Sequence, residues 1–153
     1  MHLREILAVP RIDVALSVAD KDAAIAAMSR LLCQGAGGAT DAALVARVLA
    51  ERERVGSTGV GSGVAIPHGR VPGLDHFVGA LAICKRGIEF QSIDGEPVDV
   101  LFALVGPERA AGEHLKCLAR IGRLLRDPAI RQCLRDSDGG DAALGLVLAA
   151  DSG

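Results

Sequence analysis

The sequence predicts an α/β fold in which helices cover both faces of a small mixed β-sheet, within a single domain that spans residues 1–153. The first observation is size, because 153 residues, half of them apolar, suffice for one domain with a sizeable core. The second is the order of elements, since apolar patterns typical of strands and of helices follow one another along the chain. The third is the continuous apolar segment 98–105, which is typical of a strand covered on both faces.

The first third of the chain predicts one strand followed by two helices. The strand covers residues 12–18. Asp20 can cap a helix over residues 21–33, and a glycine-rich turn ends that helix. Thr40 is the expected cap of the second helix, which ends near Arg54.

The middle of the chain predicts a loop and then the remaining strands. Residues 56–63 contain too many glycines for a regular element. A short strand follows over residues 64–66, and Pro67 ends it. A stronger strand covers residues 78–84, and residues 88–90 form a small extension or edge piece before the central apolar strand.

The last third of the chain predicts three helices. The first follows Pro107, where one face repeats at helical spacing and carries His114, Cys117, Leu118, Ile121 and Leu125. A short helix runs through residue 134, with Asp127 as its cap and a proline in its first turn. Asp141 starts a final helix that reaches residue 150.

Composition argues against several classes of function. A formal net charge of −2, with three Phe and no Tyr or Trp, disfavours nucleic-acid partners. No apolar run approaches the roughly 20 residues of a membrane-spanning helix, and no signal-peptide pattern opens the chain. We therefore expect a cytoplasmic protein without direct membrane insertion. The four cysteines fit no common zinc spacing and are expected as reduced core residues.

The glycine-rich segment 56–63 is the first candidate for chemistry. Glycines leave backbone N–H groups open to anions, and Ser57, Thr58 and Ser62 add hydroxyl donors. The segment is not a Walker loop, because Ser62 stands where the lysine would be, and it lacks the dinucleotide fingerprint. A nucleotide site is thus poorly supported.

His68 is the second candidate, since it follows a proline at the end of a strand. A neutral imidazole can attack phosphorus near neutral pH and form a covalent N–P bond. Arg52, Arg54 and Arg70 provide fixed positive charge with a geometry suited to phosphate. On residue chemistry alone, a surface histidine on a flexible turn remains an equal alternative.

His114 lies at the N-terminal end of the apolar face of its predicted helix. A histidine there is typical of a core or boundary residue, yet a helix N-terminus also attracts anions, so His114 could face a phosphoryl group on His68. A zinc site built from both histidines lacks a clear third ligand. We expect no metal and no cofactor.

Three ordered blocks together resemble the type-2 enzyme IIA domains of the bacterial phosphoenolpyruvate-dependent phosphotransferase system, over nearly the whole chain. The first block is the glycine-rich segment with residues 64–70, which include His68. The second runs from residue 88 to 105, and the third is His114 with Leu115. One departure is Ser62, where relatives often have Asn.

The resemblance implies a three-layer α/β/α sandwich around a small mixed β-sheet. It implies that His68 accepts a phosphoryl group from a phosphohistidine on an HPr-like carrier protein. It also implies that Arg52 and His114 help to hold that group, with Ser57 and Thr58 as neighbours in the matching loop. The protein would be a phosphocarrier rather than an independent turnover enzyme.

Two branches of the family fit these motifs. A stand-alone domain looks most like the nitrogen-regulatory branch, in which the phosphorylation state regulates partner proteins. The alternative is a sugar-specific enzyme IIA of the fructose or mannitol type, which would pass phosphate to a IIB permease domain. A binding module whose histidine is never phosphorylated is a third hypothesis.

Overall fold

A computed structural model describes residues 1–151 of the chain. Two short 3-10 turns, Leu3–Glu5 and Val9–Arg11, precede the first strand. The strands of the described part are β1 (Ile12–Asp13), β2 (Gly59–Gly61), β3 (Val64–Ala65), β4 (His68–Arg70), β5 (Val78–Ile88) and β6 (Val98–Gly106). Its α-helices are α1 (Lys21–Leu32), α2 (Ala42–Val55), α3 (Ala111–Leu125), α4 (Pro128–Arg135) and α5 (Gly140–Ala150).

The strands form one mixed sheet in the order β1-β5-β6-β3-β2, and β4 pairs with β6 beyond β3. Strands β5 and β6 run antiparallel at the centre, whereas β3 and β4 both run parallel to β6. The predicted mixed sheet is therefore confirmed. Because β4 continues along the same edge of β6 as β3, it brings His68 opposite Leu104 in the middle of the sheet.

Helices cover both faces of this sheet. On β6, Leu101 and Ala103 belong to the core cluster that includes α1 and α2. Their neighbours Phe102 and Leu104 point the other way, into the cluster formed with α3, α4, α5 and the N-terminal turns. A fully buried side chain of this size contributes about 1.5–3 kcal/mol to folding. The predicted α/β/α sandwich is confirmed.

Local capping chemistry explains where most helices begin. The carboxylate of Asp20 accepts a hydrogen bond from the backbone of α1, and Asp127 does the same for α4, as predicted. The prediction that Thr40 caps α2 is wrong, because the carboxylate of Asp41 accepts the bond from Leu44 N at 3.0 Å. Helix α5 likewise begins at Gly140, one residue before the predicted start at Asp141.

The strands depart from prediction at several places. One is the glycine-rich segment, where Gly59–Gly61 forms β2 by pairing with β3, although residues 56–63 were predicted to contain no regular element. Strand β1 ends at Asp13 rather than residue 18, because the Asp13 carboxylate accepts a bond from Ala15 N and turns the chain. Of the two alternatives for residues 88–90, an extension or an edge piece, the extension holds for Ile88, which ends β5 after an irregularity in the pairing. The chain also resumes as a strand directly after Pro67, which sequence reasoning missed.

The cysteines are only partly core residues. All four are free thiols; Cys84 and Cys117 are buried and Cys33 is half-buried. Cys133 contradicts the prediction, because it lies on the exposed side of the short helix α4, while its neighbour Leu134 faces the core.

Candidate functional site

Strand β4 and helix α2 bring His68 and Arg52 together. A Cβ atom on Gly69 would lie 2.4 Å from Cγ1 of Val48, so only glycine lets α2 pack this closely on the strand. Arg52 follows Val48 by about one helical turn and lies on the same side of α2. Arg52 and His68 consequently line the same two clefts.

His68 lies where these two clefts meet. The main cleft, about 550 Å³, lies between the glycine-rich segment and the C-terminal half of α3. The second cleft, about 630 Å³, lies between α2 and the N-terminal half of α3. The structure therefore brings all the predicted site residues to one region: His68 and Arg52 line both clefts, Ser57 and Thr58 line the main cleft, and His114 lines the second.

The orientation of the His68 ring is set by a backbone carbonyl two residues earlier in the chain. Nδ1 lies 2.7 Å from the carbonyl oxygen of Ile66. A carbonyl oxygen can only accept, so Nδ1 carries the proton and the neutral ring keeps its lone pair on Nε2. Sequence reasoning could not assign the nucleophilic nitrogen, because the assignment depends on this contact.

The electrostatic environment keeps His68 neutral. Burial lowers the pKa of His68 below its ordinary value, and the positive charge of Arg52 lowers it further. The hydrogen bond to Ile66 and the charge of Glu53 act in the opposite direction without reversing the shift. A neutral imidazole with a free nitrogen is the form that can attack phosphorus.

His114 is a buried residue that also lies close to His68. It is 6% exposed, and its ring centre lies 5.7 Å from that of His68 and 6.0 Å from that of Phe77. Within residues 1–151, its Nδ1 has no hydrogen-bond partner. Burial, followed by the nearby His68 and Arg70, lowers the pKa of His114 to about 4, so the ring is neutral at physiological pH.

The three arginines of the sequence motif have different places. Nη1 of Arg52 donates a 2.8 Å hydrogen bond to the carbonyl of Gly56, which connects it to the start of the glycine-rich segment. Arg70 lines the second cleft and donates to the Glu108 carbonyl at 3.1 Å. Arg54 lies elsewhere, at a cleft between α1 and α2 that His68 does not line.

The side-chain hydroxyls of Ser57 and Thr58 donate hydrogen bonds to other groups of the protein. Ser57 Oγ donates to the Phe90 carbonyl at 2.7 Å and accepts from Gly59 N at 3.0 Å. Thr58 Oγ1 donates to the carboxylate of Glu53. Both residues line the main cleft, but their hydroxyl hydrogens are already engaged in bonds that hold the loop.

Glu53 is the residue that sequence reasoning missed. Its carboxylate, with 7% of the side chain exposed, also accepts the Thr58 backbone N–H at 2.9 Å and pairs with Lys21 Nζ at 2.7 Å. Lys21 in turn lies 5.0 Å from the centre of the Phe90 ring. The available signal was the position of Glu53 directly after Arg52, one turn before the loop.

Metal ligands and membrane spans are not evident in the described residues. Within residues 1–151, no group of three or more His, Cys, Asp or Glu side chains could hold a metal ion. In the same part of the chain, every helix is too short or too polar to traverse a bilayer.

A family model described as the phosphoenolpyruvate-dependent sugar phosphotransferase system, EIIA 2, matches residues 5–149. The chain belongs to this family. The resemblance predicted from the three motif blocks is thereby confirmed. The predicted site residues all lie within the matched part of this EIIA 2 chain.

Nitrogen regulatory proteins are among the proteins similar to this EIIA 2 chain. A nitrogen regulatory protein of Bradyrhizobium diazoefficiens is 54% identical over 93 residues, which cover 61% of this chain and 61% of that protein. The match thus spans less than two thirds of that relative. The crystal structure of nitrogen regulatory protein IIA-Ntr from Neisseria meningitidis has a TM-score of 0.87 and 32% identity, covering 95% of this chain and 98% of that chain.

A sugar-related protein is also similar. The PTS system fructose-specific EIIABC component of Bacillus subtilis is 29% identical over 147 residues, which cover 96% of this chain and 23% of that protein. The EIIA 2 chain therefore resembles members of both branches that its motifs allowed.

Proposed function

We propose that this EIIA 2 chain is a phosphocarrier of a nitrogen-related phosphotransferase system and accepts a phosphoryl group on Nε2 of His68. The observation that carries the proposal is the 2.7 Å contact between His68 Nδ1 and the Ile66 carbonyl, which leaves Nε2 as the basic nitrogen. Arg52, which lines the same clefts, adds the positive charge that a phosphoryl group needs.

The proposed step is a transfer between two histidines. The lone pair on Nε2 of His68 attacks the phosphorus of a phosphohistidine on an HPr-like carrier. The N–P bond of the carrier breaks as the new N–P bond forms, and the electron pair returns to the carrier imidazole. The proton of His68 stays on Nδ1, which donates it in the hydrogen bond to the Ile66 carbonyl, so the step needs no further co-reactant.

Catalysis of such a step consists mostly of positioning and charge stabilisation. In the proposal, the Arg52 guanidinium binds the equatorial oxygens. The neutral His114 ring, whose centre lies 5.7 Å from that of His68, offers them an N–H donor. Ser57 and Thr58 contribute by holding the loop that forms one wall of the main cleft.

We further propose that the phosphorylation state of His68 regulates partner proteins. The similarity to proteins named nitrogen regulatory proteins supports this role. A phosphoryl group adds about −1.5 to −2 charges, which changes the surface that a partner meets.

The test is phosphotransfer in vitro from phosphoenolpyruvate through an enzyme I and a carrier, with a nitrogen-type and a sugar-type carrier compared. We expect the nitrogen-type carrier to label the chain faster than the sugar-type carrier does. We expect no labelling of the His68→Ala protein. Full labelling of His68→Ala would reject the assigned acceptor.

The second candidate is a sugar-specific enzyme IIA that passes phosphate to a IIB domain. The match of the fructose-specific component over 96% of this chain favours it. Transfer from the phosphorylated chain to a fructose-type IIB domain, as fast as transfer from the carrier, would establish this role in place of the regulatory one.

A further inference from the structure

We propose that the basic wall of the main cleft is a docking surface for an acidic segment of a partner protein, and that phosphorylation of His68 weakens this docking. The basic wall consists of Arg123, Arg126 and Arg131, which line the cleft together with His68. The first half of the inference concerns the unphosphorylated protein. The second half rests on the proposed function of His68.

Positive charge is concentrated on α3 and α4. Residues 111–135 contain six basic and two acidic side chains, a net charge of +4, whereas the whole chain carries −2. The rest of the chain therefore carries −6. This asymmetry places a basic surface beside His68 on a protein that is acidic elsewhere, and such a surface attracts negatively charged partners.

Other arginines of the same helices are neutralised within the fold. Arg120 forms an ion pair with Asp151, and Arg135 pairs with Asp99 at 2.9 Å. By contrast, within residues 1–151 none of the three arginines of the basic wall forms an ion pair. Arg131 interacts electrostatically with the Asp99 carboxylate without forming an ion pair, so Arg123 and Arg126 are the least neutralised charges at the cleft that contains the candidate acceptor.

The basic wall is partly ordered before any partner binds. Nη1 of Arg131 donates to the carbonyl oxygens of Leu125 at 2.8 Å and Arg126 at 3.0 Å, which fixes its guanidinium at the C-terminal end of α3. Arg123 and Arg126 are exposed and three positions apart, so they share one side of α3. Preordered donors reduce the entropy lost on binding.

The cleft favours an acidic polypeptide over a nucleic acid. Its walls include apolar side chains such as Leu118 and Val60, the latter 56% exposed. None of the three phenylalanines lines it, so it offers no aromatic stacking surface for bases. Alternating carboxylate and aliphatic side chains would satisfy both the guanidinium groups and the apolar walls.

Phosphorylation would act on this surface through charge. A phosphoryl group on His68 would lie in the same cleft and bring about −1.5 to −2 charges. Those charges offset much of the +3 of the basic wall, and they repel the carboxylates of a bound segment. The partner would thus bind the unphosphorylated protein more tightly.

The docking experiment uses the unphosphorylated full chain and a fluorescein-labelled peptide of alternating glutamate and leucine, followed by fluorescence anisotropy. We expect the double substitution Arg123→Gln and Arg126→Gln to weaken binding at least about fivefold. The matched control, Arg30→Gln with Arg47→Gln, removes the same charge from exposed positions of α1 and α2 and should change affinity less than twofold.

Two results would overturn the docking surface: equal losses of affinity in the two double variants, or tighter binding of a single-stranded RNA oligonucleotide of the same length than of the peptide.

The effect of phosphorylation on docking is tested separately with protein shown to carry phosphohistidine. We expect about fivefold weaker peptide binding by that form than by protein incubated with the same enzyme I and carrier but without phosphoenolpyruvate. Equal affinity of the two forms would overturn the coupling, whereas failure to form phosphohistidine would count against the proposed function alone.

Discussion

The carboxylate of Glu53 accepts hydrogen bonds from both the backbone N–H and the side-chain hydroxyl of Thr58. The neighbouring Arg52 donates to the carbonyl of Gly56. Two consecutive residues at the end of α2 therefore hold the first turn of the glycine-rich segment from two directions. The shape of the main cleft depends on this attachment.

The first prediction concerns Glu53→Gln. Loss of the carboxylate leaves Lys21 without its ion-pair partner and weakens the bonds to Thr58, so the loop should shift. We expect the free energy of unfolding to fall by about 1–3 kcal/mol, and the phosphorylation rate to fall about tenfold at a temperature where the variant is folded.

Urea unfolding and carrier-dependent labelling of His68 measure the two effects. Glu96→Gln is the control, since it makes the same chemical change at an exposed position. An unchanged labelling rate in Glu53→Gln would show that the loop does not depend on this carboxylate.

The second prediction compares two arginines on the same helix. Arg52 lines both clefts around His68, whereas Arg54 lies at a different cleft. We expect Arg52→Ala to slow phosphorylation by about 10- to 100-fold, because it removes charge stabilisation at the phosphoryl group. Arg54→Ala should stay within twofold, and equal rates for both variants would contradict the assigned role of Arg52.

The third prediction concerns pH and His114. The pKa of His114 falls from 6.5 to about 4 on folding, mainly because of burial. The unfolded chain then binds the proton more tightly, so the contribution of His114 to stability is present above pH 6.5 and is lost as the pH falls toward 4. We expect the variant His114→Leu to remove up to about 3 kcal/mol of this pH dependence in urea titrations.

His76 provides a control of opposite sign. Its pKa is raised, chiefly by the hydrogen bond to Asp75 and then by the bond to Gly37. The contribution of His76 to stability is therefore present below pH 6.5, and it is lost as the pH rises through the raised pKa of the folded protein. If His114→Leu and His76→Asn changed the pH profile in the same direction, the buried neutral state of His114 would be contradicted.

The sequence predicted those parts of the fold that local patterns determine. The apolar segment 98–105 became the central strand β6, and the caps Asp20 and Asp127 lie at the starts of their helices. Each of these carboxylates stands directly before the first residue of its helix, where it can accept a hydrogen bond from the helix backbone. The length of β1 was overestimated because one Asp13 side-chain bond outweighed the apolar pattern that follows it.

The residues of the candidate site were proposed from the sequence, but the contacts that hold them could not be predicted. His68, Arg52 and His114 follow from the motif, yet the bond from His68 to Ile66 depends on the geometry after Pro67. The ion pair between Lys21 and Glu53 joins α1 to α2 across 32 positions, which no local pattern encodes. Contacts between distant segments are decided by packing, so they become visible only in the structure.

The fourth prediction concerns the left-handed backbone conformation of Ser62. Ser62 has φ of +58°, and its backbone N–H donates to Asp94 at 2.9 Å. Asn adopts this left-handed conformation more readily than Ser, and Val adopts it poorly. We expect Ser62→Asn to raise stability by about 0.5 kcal/mol and Ser62→Val to lower it by about 1–2 kcal/mol. Thermal unfolding measures both changes. If Ser62→Val were the more stable variant, backbone strain at this position would be contradicted.

The most direct test of the account is ¹⁵N–³¹P and long-range ¹H–¹⁵N NMR of the chain labelled on histidine and phosphorylated through its carrier. The account predicts one phosphorylated imidazole, that of His68, with phosphorus on Nε2 and the proton retained on Nδ1. Phosphorus on Nδ1 of His68, or on another histidine, would contradict it.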